Sequence, residues 1–301
     1  MRAIIVGAVE STRIALSALG RAADWQVDAV LTLPRELAGR HSDFVDLAPD
    51  AEAVGARLIA ARDCNAEDVV AQLAALDADL CLVIGWSQIC RPAFLAAVGG
   101  RAIGYHPAPL PRLRGRGVIP WTILLAEPIS AASLFWIDDG VDSGALVGQR
   151  YFHVAPESTA TTLYAQHMAA LGDLLDEVLP QLAAGTAPQR VQDERCATWA
   201  ARRIPADGVI DWNVPAAATE RLVRAVTRPY PGASTASANG PLTIWHAELW
   251  AETTRHHALP GQVIAAGDDF FAVACGDRTG IRVTDWDGTP PRLHSRLGVA
   301  A

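Results

Sequence analysis

The chain has 301 residues, 50% of them apolar and 19% charged, with a formal net charge of −8. That composition supplies a sizeable core and excludes a disordered chain, and the acidic balance excludes a global basic field of the kind that holds phosphate backbones, leaving only local patches for such a role. Five cysteines, an odd number without a CxxC pair, argue against a disulfide framework or a structural zinc site and read as buried thiols of a reducing cytoplasm.

The first element is the apolar run Ala3 to Val6, closed by Gly7, which reads as a buried strand of a parallel sheet and not as a signal peptide. A helical stretch follows to about Ala22, then a strand over Val27 to Leu31. Leu33 to Pro49 mixes Pro, Gly and charge and reads as a loop, while Ala51 to Leu58 and Glu67 to Leu76 have helical patterns. Leu80 to Ile84 is a strong strand ending at Gly85; a short helix over Ala93 to Val98 leads to a strand over Ala102 to Tyr105. Strands alternating with helices predict an open parallel α/β sheet.

Beyond it, a helix near Trp121 to Leu125 precedes an apolar strand over Ala131 to Ile137, which ends in the acidic turn Asp138 to Gly144. A long helical pattern covers Thr159 to Ala183, with Ser158 placed as its N-cap. From about Ile204 the texture changes to short segments rich in Val, Ile, Trp and Thr. Strands are expected at Thr243 to Trp245, Gln262 to Ile264, Phe271 to Val273 and Ile281 to Val283, giving a small β domain over 204–301 after a domain over 1–203. No apolar run is long enough to span a bilayer.

His106 ends the strand Ile103 to His106, and ligands of open α/β sheets bind outside the carboxyl ends of the strands. The loop PAPLPRLRGRG that follows cannot continue the sheet. Asp142 also follows a strand, so the two strand-end loops are expected to face each other on one edge. An aspartate beside a histidine fixes which ring nitrogen carries the proton and suits acid–base work near neutral pH. Against this stand a structural histidine and a solvated Asp/Gly turn. Arg112, Arg114 and Arg116 form a basic cluster beside His106, either a solvated loop or a contact for an anionic substrate. The turn GAVEST lacks the glycines of a dinucleotide fingerprint, no GxSxG elbow or Walker loop is present, and His256-His257 reads as a surface loop.

Five segments in order, HPAPLPRLRGRGVIPWTIL, DDGVDSGALVGQ, QDERCATWA, IPADGVIDW and VRAVTRPYPGA, resemble the signatures of the methionyl-tRNA and sugar N-formyltransferase family. The resemblance covers nearly the whole chain. It implies a Rossmann-like N-terminal domain, a small OB-like β-barrel at the C-terminus, 10-formyltetrahydrofolate as the formyl donor, no metal, and a primary amine as acceptor. It implies catalytic roles for His106 and Asp142, and folate contacts for the loop from Ile84 to Cys90 (Ile84, Gly85, Trp86, Ser87, Gln88, Ile89) and for Asp138 and Asp139. Acceptor contacts fall on Pro109, Arg114 and Gly115.

One position departs from the family pattern. Where members carry Asn two residues before the histidine, this chain has Gly104. Losing one such donor to an oxyanion costs on the order of 10²–10³ in rate. A water in the vacated space, a side chain such as Ser87 or Gln88 reaching in, a different transferred group or donor, or folate binding without turnover would each account for the change. The loop after the second strand, basic in members that act on tRNA, here sets Arg35, Arg40 and His41 among Glu36, Asp43 and Asp46. A small-molecule amine, with a nucleotide-linked amino sugar first, is therefore expected ahead of methionyl-tRNA, in a cytoplasmic protein without a membrane partner and with a homodimer as the assembly to test.

Overall fold

The computed structural model describes residues 1–40 and 43–299, with the side chain of Arg40 left aside. The chain forms two compact units: 1–118, 129–153 and 165–201 make the first, and 119–128, 154–164 and 202–301 the second.

The first unit is built on a seven-stranded sheet. Its strands are β1 (Arg2–Val6), β2 (Gln26–Thr32), β3 (Arg57–Ala60), β4 (Leu80–Val83), β5 (Ala102–His106), β7 (Ile129–Trp136) and β8 (Leu146–His153), in the order β3-β2-β1-β4-β5-β7-β8. A two-residue strand β6 (Arg114–Gly115) pairs in parallel with β9 (Trp199–Ala200). Its helices are α1 (Glu10–Arg21), α2 (Ala48–Ala53), α3 (Glu67–Ala74), α4 (Pro92–Ala97) and most of α6 (Ala160–Ala183); α5 (Val118–Leu124), but for its first residue, and the start of α6 belong to the second unit.

β1, β2, β4 and β5 read as nearly continuous apolar runs because both of their faces are covered. On one face Ile5, Leu82, Ile103 and Leu134 pack against Leu16 and Leu19 of α1 and Leu171, Leu174 and Val178 of α6. On the other, Ile4, Val6, Leu31 and Val83 pack against Val69 and Leu73 of α3 and Phe94 of α4.

Three expectations change here. The helix proposed over Ala51 to Leu58 ends at Ala53, and Leu58 lies in edge strand β3, where only Ile59 is buried and the alternation is too short to register. The parallel sheet is mixed: β7 and β8 run antiparallel to their neighbours, because residues 119–128 pack with the second unit and no helix crosses the sheet between β5 and β7. The cap of α6 is Thr159, not Ser158; Thr159 and Thr162 exchange backbone-to-hydroxyl bonds of 2.9 and 3.2 Å, while the Ser158 carbonyl accepts from Arg224.

The second unit contains α7 (Ala216–Val226) and a five-stranded antiparallel sheet, β10 (Ala233–Ser237), β11 (Gly240–Leu249), β12 (Val263–Ala266), β13 (Phe271–Ala274) and β14 (Gly280–Asp287), ordered β10-β11-β14-β13-β12. Among the described residues β10 and β12 form no ladder with each other, so the sheet is a half-barrel and not a closed one. The irregular segment 294–298 spans the gap, with Val263 N–H donating to Ser295 and Gly298 N–H to Ala236. Among the described residues no helix is long and apolar enough to cross a membrane.

Candidate active site

His106 closes β5 on the same face as Gly104, since strand residues alternate. It is only 4% exposed. Its Nε2 lies 2.7 Å from the carbonyl of Leu113, and its Nδ1 3.4 Å from Oδ2 of Asp142. Both ring nitrogens thus face acceptors, and the Leu113 contact is satisfied only when Nε2 carries a hydrogen. Asp142 adopts φ 53°, a left-handed conformation uncommon for a side-chain-bearing residue, and its Oδ2 accepts 2.8 Å from the Gly115 amide.

The two groups meet, though not as strand-end loops on one edge. β7 runs antiparallel to β5, with Trp136 opposite Ile103 and Ser133 opposite His106. The Asp138 to Gly144 turn therefore leaves the ladder three residues, about 10 Å, from His106 and folds back across the sheet face to reach it. Leu110, Phe135 and Leu146 form a small buried cluster, with Ile137 at the start of the turn packed against it.

Gly104 sits opposite Phe135 in this ladder, and the aromatic ring covers it: a Cβ built there would stand 2.6 Å from Cζ and 2.9 Å from Cε1. The apolar ring takes the space that the first atom of a side chain at 104 would enter, and Gly104 brings no side-chain donor of its own to this face. Gln88 does not reach in either. Its Oε1 accepts from Cys64 N–H at 3.1 Å and its Nε2 donates to the Arg62 carbonyl at 2.7 Å.

That pairing, with Asn65 donating to the Ile89 carbonyl and accepting from Arg91 N–H, fixes the loop after β4 to residues 62–65. Within this loop Ile84 points into the core, and Trp86 packs with Cys90 and Ile137 against the second core. Ser87 and Ile89 are exposed, and Gly85 turns the chain at φ 75°. The Cys90 thiol is pushed up by the neighbouring Cys64 thiol and by burial. In the acidic turn Asp138 accepts from Gly140 N–H and the Ser143 hydroxyl, holding the turn's shape, and Asp139 is exposed.

The basic cluster divides. Arg112 and Arg116 are exposed, whereas Arg114 is 2% exposed and makes four side-chain hydrogen bonds. Its guanidinium donates to Gln192 Oε1 at 3.2 and 2.8 Å and to both carboxylate oxygens of Glu194 at 2.9 and 2.6 Å. Arg114 is thus a buried clamp on the 192–194 segment, not a free cation for an acceptor; the Glu194 carboxyl is held below its ordinary range by these bonds. Pro109 is half-buried, and Gly115 approaches the Ala200 carbonyl at φ 105°, where a Cβ would come within 2.5 Å of it.

Sequence reasoning missed the supports of this site. Ser133 donates to the Ala108 carbonyl at 2.6 Å, and Gln149 donates to the Leu110 carbonyl and to Ser133, tying the loop after His106 to β7 and β8. Phe135 and Gln192 were equally unmarked in their roles; Gln192 lay inside a quoted motif, but nothing local shows what it touches. Among the described residues no group of three His, Cys, Asp or Glu side chains stands close enough to hold a metal ion.

The family model described as Formyl transferase matches residues 5–179, and the one described as Formyl transferase, C-terminal domain, matches 203–286. The chain belongs to the formyl transferase family. It is 32% identical over 280 residues to a methionyl-tRNA formyltransferase of Symbiobacterium thermophilum, covering 92% of this chain and 85% of that one. Two solved formyl transferase structures share the fold at TM-score 0.68. One is the sugar 3N-formyl transferase WlaRD with dTDP and 5-N-formyl-THF, 15% identical over 94% of this chain and 97% of the other. The second is an N-formyltransferase of Helicobacter canadensis with folinic acid and dTDP-3-aminofucose, 17% identical over 94% and 98%. HypX of Aquifex aeolicus with tetrahydrofolic acid aligns at TM-score 0.66 and 17% identity over 95% of this chain and 44% of that one.

Proposed function

We propose that this family member moves a formyl group from 10-formyltetrahydrofolate to the primary amine of a small molecule, with a nucleotide-linked amino sugar as the first candidate. The observation that carries the reading is the His106–Asp142 pair, held at the carboxyl end of β5 beside the loop that follows β4. Residues 1–203 are taken as the catalytic domain, and 204–301 as a small OB-like companion. The folate site is read as the backbone and exposed side chains of the loop after β4, with Asp139 at its edge.

In the reaction the amine nitrogen bonds to the formyl carbon, the bond from that carbon to N10 of the folate breaks, the amine gives up a proton and N10 gains one. Asp142, with 18% of its side chain exposed against 5% for His106, is the partner that meets the amine and takes its proton. His106 stands behind it, anchored on Leu113, and steadies the carboxylate. The face beside the pair offers Phe135 where the family has an amide donor, so oxyanion stabilisation rests on fewer donors.

Arg35 is paired with Asp46, which neutralises one charge of the segment that would contact tRNA. His41 lies outside the described residues. A methionyl-tRNA acceptor is the second reading, favoured by the 32% identity to an enzyme of that name. Salt-dependent binding of initiator tRNA separates the two.

The test is to incubate the protein with 10-formyltetrahydrofolate and a panel of amines, including nucleotide amino sugars and methionyl-tRNA, and to follow the gain of one formyl group by mass spectrometry. His106→Ala is expected to abolish the product while leaving folate affinity in place. A chain that binds folate and formylates no amine of any class refutes the reading and points to another transferred group or to a binding role.

A further inference from the structure

The amide of Gln192 is saturated. It is 5% exposed; Nε2 donates at 2.8 Å to the carbonyl of Asp142 and at 2.8 Å to that of Gly144, and Oε1 accepts both bonds from Arg114. Two hydrogens and two lone pairs are the full capacity of a carboxamide. Every partner leads to the reacting pair. The residues on either side of Arg114 are Leu113, whose carbonyl holds His106 Nε2, and Gly115, whose amide holds Asp142 Oδ2. The other end of Gln192 grips the main chain of Asp142 itself.

We propose that Gln192 is a positioning residue that sets the distance and orientation between Asp142 and His106. The inference rests on the reading of those two residues as the reacting pair. Asp142 is held in a left-handed conformation on a turn that crosses the sheet face; Asp138 ties the turn internally, and the carbonyls of Asp142 and Gly144 find their partner outside it, in Gln192. Gln192 supplies that hold and makes it common to the turn and to the loop after His106. The two loops approach the pair from different strands, and one side chain fixes both. No other amino acid at this position supplies the same four bonds. Glu lacks the two donors, Met lacks donor and acceptor, and Asn is shorter by one methylene.

Two substitutions divide the contacts. Gln192→Glu keeps an acceptor for Arg114 but sets a carboxylate against the carbonyls of Asp142 and Gly144. Gln192→Met keeps the volume and removes both contacts. The full-length variants are compared with wild type in three assays: release of formyl from 10-formyltetrahydrofolate to water or an added amine, binding of 5-formyltetrahydrofolate, and the ring-nitrogen signals of His106 in histidine-labelled protein without ligand. Both variants are expected to lose about 10²-fold in kcat, the scale of a misplacement near 1 Å, with KM and folate binding retained. The His106 ring signals are expected to move from their wild-type positions in the direction produced by Asp142→Asn. If His106 signals and kcat stay at wild-type values in either folded variant, Gln192 is only a structural amide and the proposal falls. Should Gln192→Met not fold, Gln192→Glu, which keeps Arg114 paired, carries the test alone. If wild type releases no formyl group, the function proposed above fails, and the His106 signals still decide whether Gln192 positions the pair.

Discussion

Replacing Gly104 by Ala adds one methyl group at a position whose backbone tolerates it, since Gly104 is not among the residues with positive φ. The obstacle is Phe135. The new Cβ would lie 2.6, 2.9 and 3.2 Å from three ring carbons, Cζ, Cε1 and Cε2. Carbon atoms settle at about 3.5–4.0 Å, so the ring must withdraw by roughly 1 Å. It is 6% exposed and packed against Leu110 and Leu146, so it has little room to do so. Overpacking of this kind costs about 1–3 kcal/mol, which lowers Tm by roughly 2–10 °C in a chain of this size. Gly104→Asn adds a carboxamide in the same apolar cluster and loses a further 1–3 kcal/mol or so while its polar atoms lack partners. The offending atoms are all at the far end of the ring, which a leucine does not reach. Gly104→Ala should therefore become nearly neutral in a Phe135→Leu background, with a coupling of about 1–3 kcal/mol between the two sites. Thermal unfolding of the four proteins in the cycle measures it, and formyl transfer by Gly104→Asn with Phe135→Leu shows whether a restored donor accelerates the reaction. An unchanged Tm for Gly104→Ala, or an equal cost in both backgrounds, would refute the steric account.

Two further outcomes follow from buried groups. His167 of α6 has no exposed surface, contacts Ser130 at 3.2 Å and meets Phe152 edge-on; burial lowers its pKa to about 3, with the charge of His106 a smaller cause. The unfolded histidine takes up a proton near pH 6.5 and the folded one does not, so stability falls as pH drops from about 6.5 towards 3 and levels off below. His167→Phe should lose less stability than wild type between pH 7 and 4, read from Tm against pH; parallel curves would count against this assignment. Among the thiols, Cys196 is exposed, whereas Cys81 and Cys275 are buried and burial raises the pKa of both, that of Cys275 to about 11. A thiol reagent at pH 8 should label Cys196 first, as peptide mapping would show, and early labelling of Cys81 or Cys275 would contradict the packing.

The sequence by itself determined the buried strands and singled out the two residues that the proposed function takes as the reacting pair. β1, β2, β4 and β5 were legible because strands covered on both faces must be apolar throughout, and that demand is local. His106 and Asp142 were legible because a chemical group at a strand end and an aspartate in a glycine-rich turn leave signatures in their own neighbourhoods. The edge strands β3 and β8 and the small-residue strand β10 were not, since they bury too little apolar surface to produce a pattern. Tertiary structure alone decided how the pair meets. The antiparallel return of β7 sends the Asp142 turn across the sheet, places Phe135 over Gly104, and leaves Arg114 and Gln192 to hold the two loops together. Each of these facts depends on atoms far apart in the chain, and no local pattern of residues encodes which distant carbonyl an amide will find or which ring will cover a glycine.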